Sequence, residues 1–229
     1  MRRRHFLPAV PASLAALSWS SPALSFSLTE SDAASGIRVA LEKGATAAVS
    51  LLGRTDGFLG NPRVRIPLPA FLEDARGLLR ATGQQKRIDA LELAMNRAAE
   101  SAVPEARTLL VNAVKSMSVE DARQVITGGD DSATQFFAGK TREPLGVRFL
   151  PIVTRATEKV SLAQKYNAVA GKVQSLGLLK PQEASIESYV TGKALDGLYL
   201  MIGEEEKKIR ANPAAAGSAI LRKVFGSLK

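Results

Sequence analysis

The chain of 229 residues contains no cysteine and one histidine, His5. Without cysteine there is no disulfide, no thiol nucleophile and no thiolate-held metal. With the one histidine at position 5, the rest of the chain cannot supply a Ser-His-Asp triad or a His-ligated zinc or iron. Helical di-iron sites are excluded too, since they need a Glu-x-x-His pair. Neither a Walker A loop nor a Rossmann glycine fingerprint is present. No metal and no cofactor is therefore expected. The chemistry left open is carboxylate acid/base work, Ser-Lys arrangements, and oxygen-ligated calcium or magnesium. Stability has to come from an apolar core, which a chain of this length can supply.

The N-terminus has a character of its own. Arg2, Arg3 and Arg4 precede an acid-free apolar stretch from Phe6 to Leu24, and Ala23 and Ser25 are the small residues a signal peptidase reads. Residues 1–25 are thus expected to be an export signal. Arg3-Arg4-His5-Phe6-Leu7 is similar to the twin-arginine export signature, and an arginine-rich Sec signal is the other reading. Pro8, Pro11 and the serines make this stretch a poor membrane span, and no later segment is apolar enough to cross a bilayer. A periplasmic protein is expected. Cleavage after Ser25 would remove three arginines and no acids from the formal charge of +9, leaving +6, and would also remove His5 and Trp19, the only residues of their kinds.

Beyond a short tether over residues 26–32, the pattern is helical throughout. Ser31 or Asp32 suits an N-cap, and Ile37, Leu41, Gly44, Ala48 and Leu51 recur at helical spacing up to Gly53. Pro69 suits the start of a second helix carrying Phe71, Leu72, Ala75, Leu78 and Leu79, with Gly83 as terminator. Ile88, Leu91, Met95, Ala98 and Ala102 form a third seam, which Pro104 should kink or divide. Ser118 and Asp121 have capping-box spacing before a helix ending at Thr127-Gly128-Gly129. Asp130, Asp131 or Ser132 should cap the next helix, with Phe136 and Phe137. Thr141 suits the cap of another, with Pro144 near its start and a bend at Pro151. A helix through Leu162, Tyr166 and Val169 precedes a break at residues 176–181. Tyr189, Leu195, Leu198, Tyr199 and Ile202 mark a long helix. After Asn212-Pro213 a last helix should carry Leu221, Val224 and Phe225. The expected fold is an all-α single domain, residues 33–229, of about eight to ten helices with one long ordered extended loop.

That loop is DGFLGNPRVRIPLP, residues 56–69. Val64, Ile66 and Leu68 alternate with Arg63, Arg65 and Pro67, so an extended course puts the apolar side chains on one face. Pro67 and Pro69 bias the residues before them away from helix. Phe58 and Leu59 add apolar anchors, and Asp56 and Asn61 can bond nearby backbone. One reading is a structural strap whose arginines meet carboxylates. The other is a wall of a binding site offering Arg63 and Arg65 to an anionic group, which guanidinium suits.

This loop, the AMNRAAESAVPEA of residues 94–106, the TGGDDSATQFF of residues 127–137 and the YVTGKALDGLYLMIGEEEKKIRANP of residues 189–213 together resemble a bacterial family of domains of unknown function, DUF4197. The resemblance runs from about Ala33 to Phe225. Gly203 departs from it, standing where family members tend to have alanine. The resemblance implies an exported, mostly helical domain and carries over no catalytic role.

Candidate site residues beyond the loop are Asn96, Arg97, Glu100, Asp196 and Glu205. Arg97 and Glu100 are three apart and can pair locally, while Ala98, Ala99 and Ala102 let a neighbouring backbone approach and bury a polar network. Glu204 with Lys208 and Glu206 with Arg210 are four apart and suit pairing along one solvated helix face. The alternative turns Glu204, Glu205 or Asp196 inward to meet Arg97. Asp130 and Asp131 lack the alternating oxygens of a calcium loop and read as helix caps.

Three functional classes remain. The first is a non-catalytic periplasmic module that binds an amphiphilic or anionic ligand, or an envelope partner protein, in a helix-lined groove covered by the 56–69 loop. The second is a carboxylate-dependent enzyme using Glu100, Asp196 or Glu205 with an arginine. The third is an envelope-associated protein held to anionic surfaces by its basic charge. Nucleic acid is not an expected partner, because the basic residues are scattered rather than striped.

Overall fold

The computed structural model describes residues 30–175 and 179–213. The expected export signal, residues 26–29 of the tether, Leu176 in the expected break, and the last helix with Leu221, Val224 and Phe225 lie outside the described residues. Within them the chain forms nine α-helices and two 3-10 turns, with no strand.

Helix α1 (Glu30–Leu52) buries Ile37, Leu41, Gly44 and Ala48. It starts within the expected tether, so Ser31 and Asp32 sit in its first turn instead of before it. Glu30 and Asp32 there face the positive end of the helix dipole. After residues 53–69 come two short helices, α2 (Ala70–Asp74) and α3 (Arg76–Ala81), where one helix is predicted. The division falls at Ala75; of the two, only α2 has a buried residue, Leu72, so little packing holds a continuous helix together. Gly83 takes a φ of 73°, and the N–H groups of Gly83 and Gln84 donate to the carbonyls of Arg80 and Leu79. This is a Schellman stop, and it needs the left-handed conformation glycine adopts freely.

Helix α4 (Gln85–Ala102) buries its whole predicted seam, from Ile88 to Ala102. Pro104 divides the run as predicted, inside a 3-10 turn (Val103–Glu105) that leads into α5 (Ala106–Lys115). Helix α6 (Val119–Thr127) opens with the Ser118–Asp121 capping box, both halves formed at 2.9 Å.

Helix α7 (Ser132–Thr157) departs from the sequence reading. It runs unbroken through Pro144 and Pro151, and Thr141 is no cap but a buried residue in its middle. Phe137, Thr141, Leu145, Phe149 and Val153 form a seam at intervals of four. Both prolines lie off that seam and are exposed. The carbonyls they leave without an intrahelical donor, at Lys140 and Val147, belong to exposed residues where water can serve them. Core packing along the seam outweighs the local cost.

The start of α7 also differs from expectation. Asp131 occupies the N-cap position, but its side chain makes no capping bond. The N–H groups of Ala133 and Thr134 donate instead to the carboxylate of Glu206, at 2.9 and 3.0 Å. Glu206 belongs to α9 (Ile186–Ala211), which follows α8 (Ser161–Ser175) and the 3-10 turn at Pro181–Glu183. Arg210, four residues on, donates to the same carboxylate and to the carbonyl of Val125.

Helices α7 and α9 lie along one another, α4 packs against both, and α1 covers α9, α5 and α6. The predicted stripe of α9, from Tyr189 to Ile202, is buried. Among the described residues, no helix is long and apolar enough to cross a membrane.

Candidate functional site

Residues 53–69 cross α4 and α9 as a strap. Its first part is a series of turns, including Asn61, whose carbonyl accepts from the N–H groups of Val64 and Arg65; only its last residues run extended. Phe58, Val64, Ile66 and Leu68 are buried, each removing apolar surface worth about 2 kcal/mol. Leu59 is only half-buried, and its clearest contribution is through its backbone.

Three polar groups of the helices hold this backbone, and Arg97 holds the strap's Asp56 side chain. Asn96, fully buried, accepts from Ile66 N–H at 2.9 Å and donates to Ile66 C=O at 3.0 Å. Its amide thus imitates a strand pairing with the strap. Glu100 accepts from the N–H groups of Phe58 and Leu59 at 3.0 and 3.1 Å. Arg97 bridges Glu100 at 2.6 Å and Asp56 at 2.8 Å. The hydrogen bond to Glu100 raises the Arg97 pKa further. Asp56 itself has a φ of 62°, a conformation short polar residues tolerate better than most. Tyr189 donates to the carbonyl of Pro67 at 3.2 Å, and burial pushes its phenol up to about 12.

The arginines that decide between the two readings of the strap are both paired. Arg63 meets Glu204 at 2.8 Å and Arg65 meets Glu92 at 2.9 Å. Hydrogen bonding to Arg63 holds the Glu204 carboxyl below its ordinary range. There is no vacant floor beneath the strap at Phe58: a Cβ built on Gly197 would lie 2.8 Å from the Phe58 ring. The geometry is that of architecture.

The remaining candidates lie apart from this network. Asp196 pairs with Arg142 of α7 at 2.6 Å, and Glu205 pairs with Lys208 at 2.7 Å. Glu204 approaches Lys207 rather than the expected Lys208, while Glu206 and Arg210 pair at the expected spacing, with Glu206 buried against α7 instead of lying on a solvated face. None of Glu204, Glu205 and Asp196 meets Arg97. Glu100, Asp196 and Glu205 each end in an ion pair.

A different feature is open. Between α7, α9 and the Pro181–Glu183 turn runs a groove of about 510 Å³. Thr191, Gly192 and Leu195 form its α9 side, and Arg142, Gly146 and Val147 its α7 side. Each set recurs at helical spacing, so two helix faces meet along it. Val147 is 72% exposed, and the Thr191 hydroxyl, in a residue 8% exposed, has no hydrogen-bond partner.

The family model described as protein of unknown function (DUF4197) matches residues 27–226. The chain belongs to the DUF4197 family. No curated protein and no solved structure matches it in the same comparisons. In this DUF4197 protein the matched span takes in both the strap and the α7–α9 groove.

The strap of the DUF4197 domain was legible from its alternation; the groove was missed. A signal for it existed: Val147 falls off the four-residue seam of α7, and Gly146 and Gly192 interrupt helices that gain nothing locally from glycine. Among the described residues of the DUF4197 protein, no group of three acidic or histidine side chains is placed to hold a metal ion.

Proposed function

We propose that this protein is an exported, non-catalytic helical module that binds an amphiphilic or anionic ligand, or an envelope partner, in the open groove between α7 and α9. The observation that carries this reading is a contrast between two places. At the strap Asn96, Glu100 and Tyr189 all have partners and Phe58, Val64, Ile66 and Leu68 are packed, so these residues favoured by sequence serve the fold. In the groove, apolar side chains are exposed and a buried hydroxyl is unpartnered, which is what a binding site offers before its ligand arrives. The engagement of Glu100, Asp196 and Glu205 in ion pairs supports binding over carboxylate catalysis. Export is proposed from the N-terminal pattern of arginines, apolar run and small residues.

The test is native mass spectrometry on protein recovered without detergent from the periplasmic fraction, with N-terminal sequencing of the mature chain. A co-purifying mass or a specific partner, on a chain beginning near Phe26, is the expected result. A cytoplasmic, uncleaved chain would overturn the export reading. A ligand-free chain with blank lipid-overlay and pull-down assays would overturn the binding reading.

A further inference from the structure

Resting on that reading, we infer that the α7–α9 groove seats a single-chain amphiphile with an anionic head, its tail along Gly146 and Gly192 and its carboxylate at Arg142. The glycines are the first argument. A Cβ at Gly192 would meet nothing within 4 Å, and one at Gly146 only the Leu195 side chain at 3.9 Å. The protein's own packing does not need glycine at either place, yet glycine weakens a helix interior. What it provides is an open floor. The second argument is the wall. Val147 and Leu150 stand exposed on α7 above the buried Leu195, and contiguous exposed apolar surface marks a binding face. The volume falls within the roughly 300–1,000 Å³ of small-molecule sites.

The polar handles set the head group. Arg142 lies over the Tyr199 ring, 5.7 Å from its centroid, which fixes its place at the groove's edge. Its partner Asp196 is as exposed as Arg142 itself, so a ligand carboxylate can share or displace it. Glu143, the other charged residue lining the groove, repels an anion and confines the head to Arg142. The Thr191 hydroxyl is buried beside the groove and lacks a partner within the protein.

The test is calorimetric titration of the purified mature chain with dodecanoate, dodecanol and dodecyltrimethylammonium. Dodecanoate should bind saturably, and more tightly than the other two. Gly192→Leu fills the floor with a better helix former, so this variant should melt no lower than the parent. It should nevertheless bind dodecanoate at least about tenfold more weakly. Arg142→Gln should weaken dodecanoate about fivefold and leave dodecanol unchanged. Equal dodecanoate binding by the parent and Gly192→Leu would overturn the location, and tighter binding of the cationic amphiphile would overturn the head group. If none of the three binds, the inference falls. The broader binding reading then stands only if a co-purified partner is found and Gly192→Leu releases it.

Discussion

The side-chain amide of Asn96 pairs with the backbone of Ile66 in both directions, at 2.9 and 3.0 Å, in a fully buried setting. A single side chain thus satisfies a donor and an acceptor that the strap would otherwise bury unpaired. Asn96→Ala should cost about 2–4 kcal/mol, because both Ile66 groups lose their partner. Denaturant unfolding measures the loss, and hydrogen exchange at the Ile66 amide should rise with it. An unchanged midpoint would show that water replaces the amide.

Glu100 is the second fastening. Its carboxylate is 4% exposed and holds two strap amides and Arg97. Glu100→Ala should cost about 3 kcal/mol and speed hydrogen exchange at the Phe58 and Leu59 amides. Arg63→Ala, by contrast, breaks an exposed pair and should leave the melting temperature nearly unchanged.

The strap and α9 touch at Gly197. Gly197→Ala brings a methyl group to 2.8 Å from the Phe58 ring and should destabilise by about 1–3 kcal/mol despite the gain in helix propensity. A Phe58→Leu background should reduce that penalty. Gly139 in α7 is the control: nothing lies within 4 Å of its Cβ position, so Gly139→Ala should stabilise by up to about 1 kcal/mol. Thermal melts of the three variants check both signs.

Alkaline pH should loosen the same region. Burial raises the Tyr189 phenol from 10.0 to about 12, and burial also raises Tyr166 and Tyr199. A group whose folded pKa is raised stabilises fully below its unfolded value and loses that contribution as pH climbs through the folded one. The unfolded chain therefore releases these protons first, and stability falls from pH 10 upward, by up to about 2 kcal/mol for Tyr189. Tyrosinate absorbance followed with unfolding should show a late-ionising class, which Tyr189→Phe diminishes.

Much of the fold could be read from spacing, because helical seams such as Ile88 to Ala102 are local patterns that tertiary packing reinforces. The capping box at Ser118 and the division at Pro104 were legible for the same reason. What escaped was set by distant partners. Nothing near Pro144 or Pro151 announces that the α7 seam will outweigh two missing donors. Nor does the Glu204–Glu206 run reveal that its last carboxylate caps another helix. Arg97 pairs with Glu100 three residues on, as the spacing allows, and also closes on Asp56, which the strap brings within reach; the alternative partners on α9 are not met. Asn96 was singled out as part of a buried network, but its two-way bond to Ile66 depends on a register no spacing rule supplies.

The carboxylate that completes α7 lies 73 positions after the amide it receives, and the Tyr189 hydroxyl that meets the strap lies 122 positions after Pro67. Closures of that span add nothing until both ends are in place. Arrival of α9 therefore finishes two distant tasks at once. A nascent chain stopping short of Ile186 would have a ragged α7 start and a strap held by α4 alone. One helix, α9, closes both contacts and so acts as the keystone.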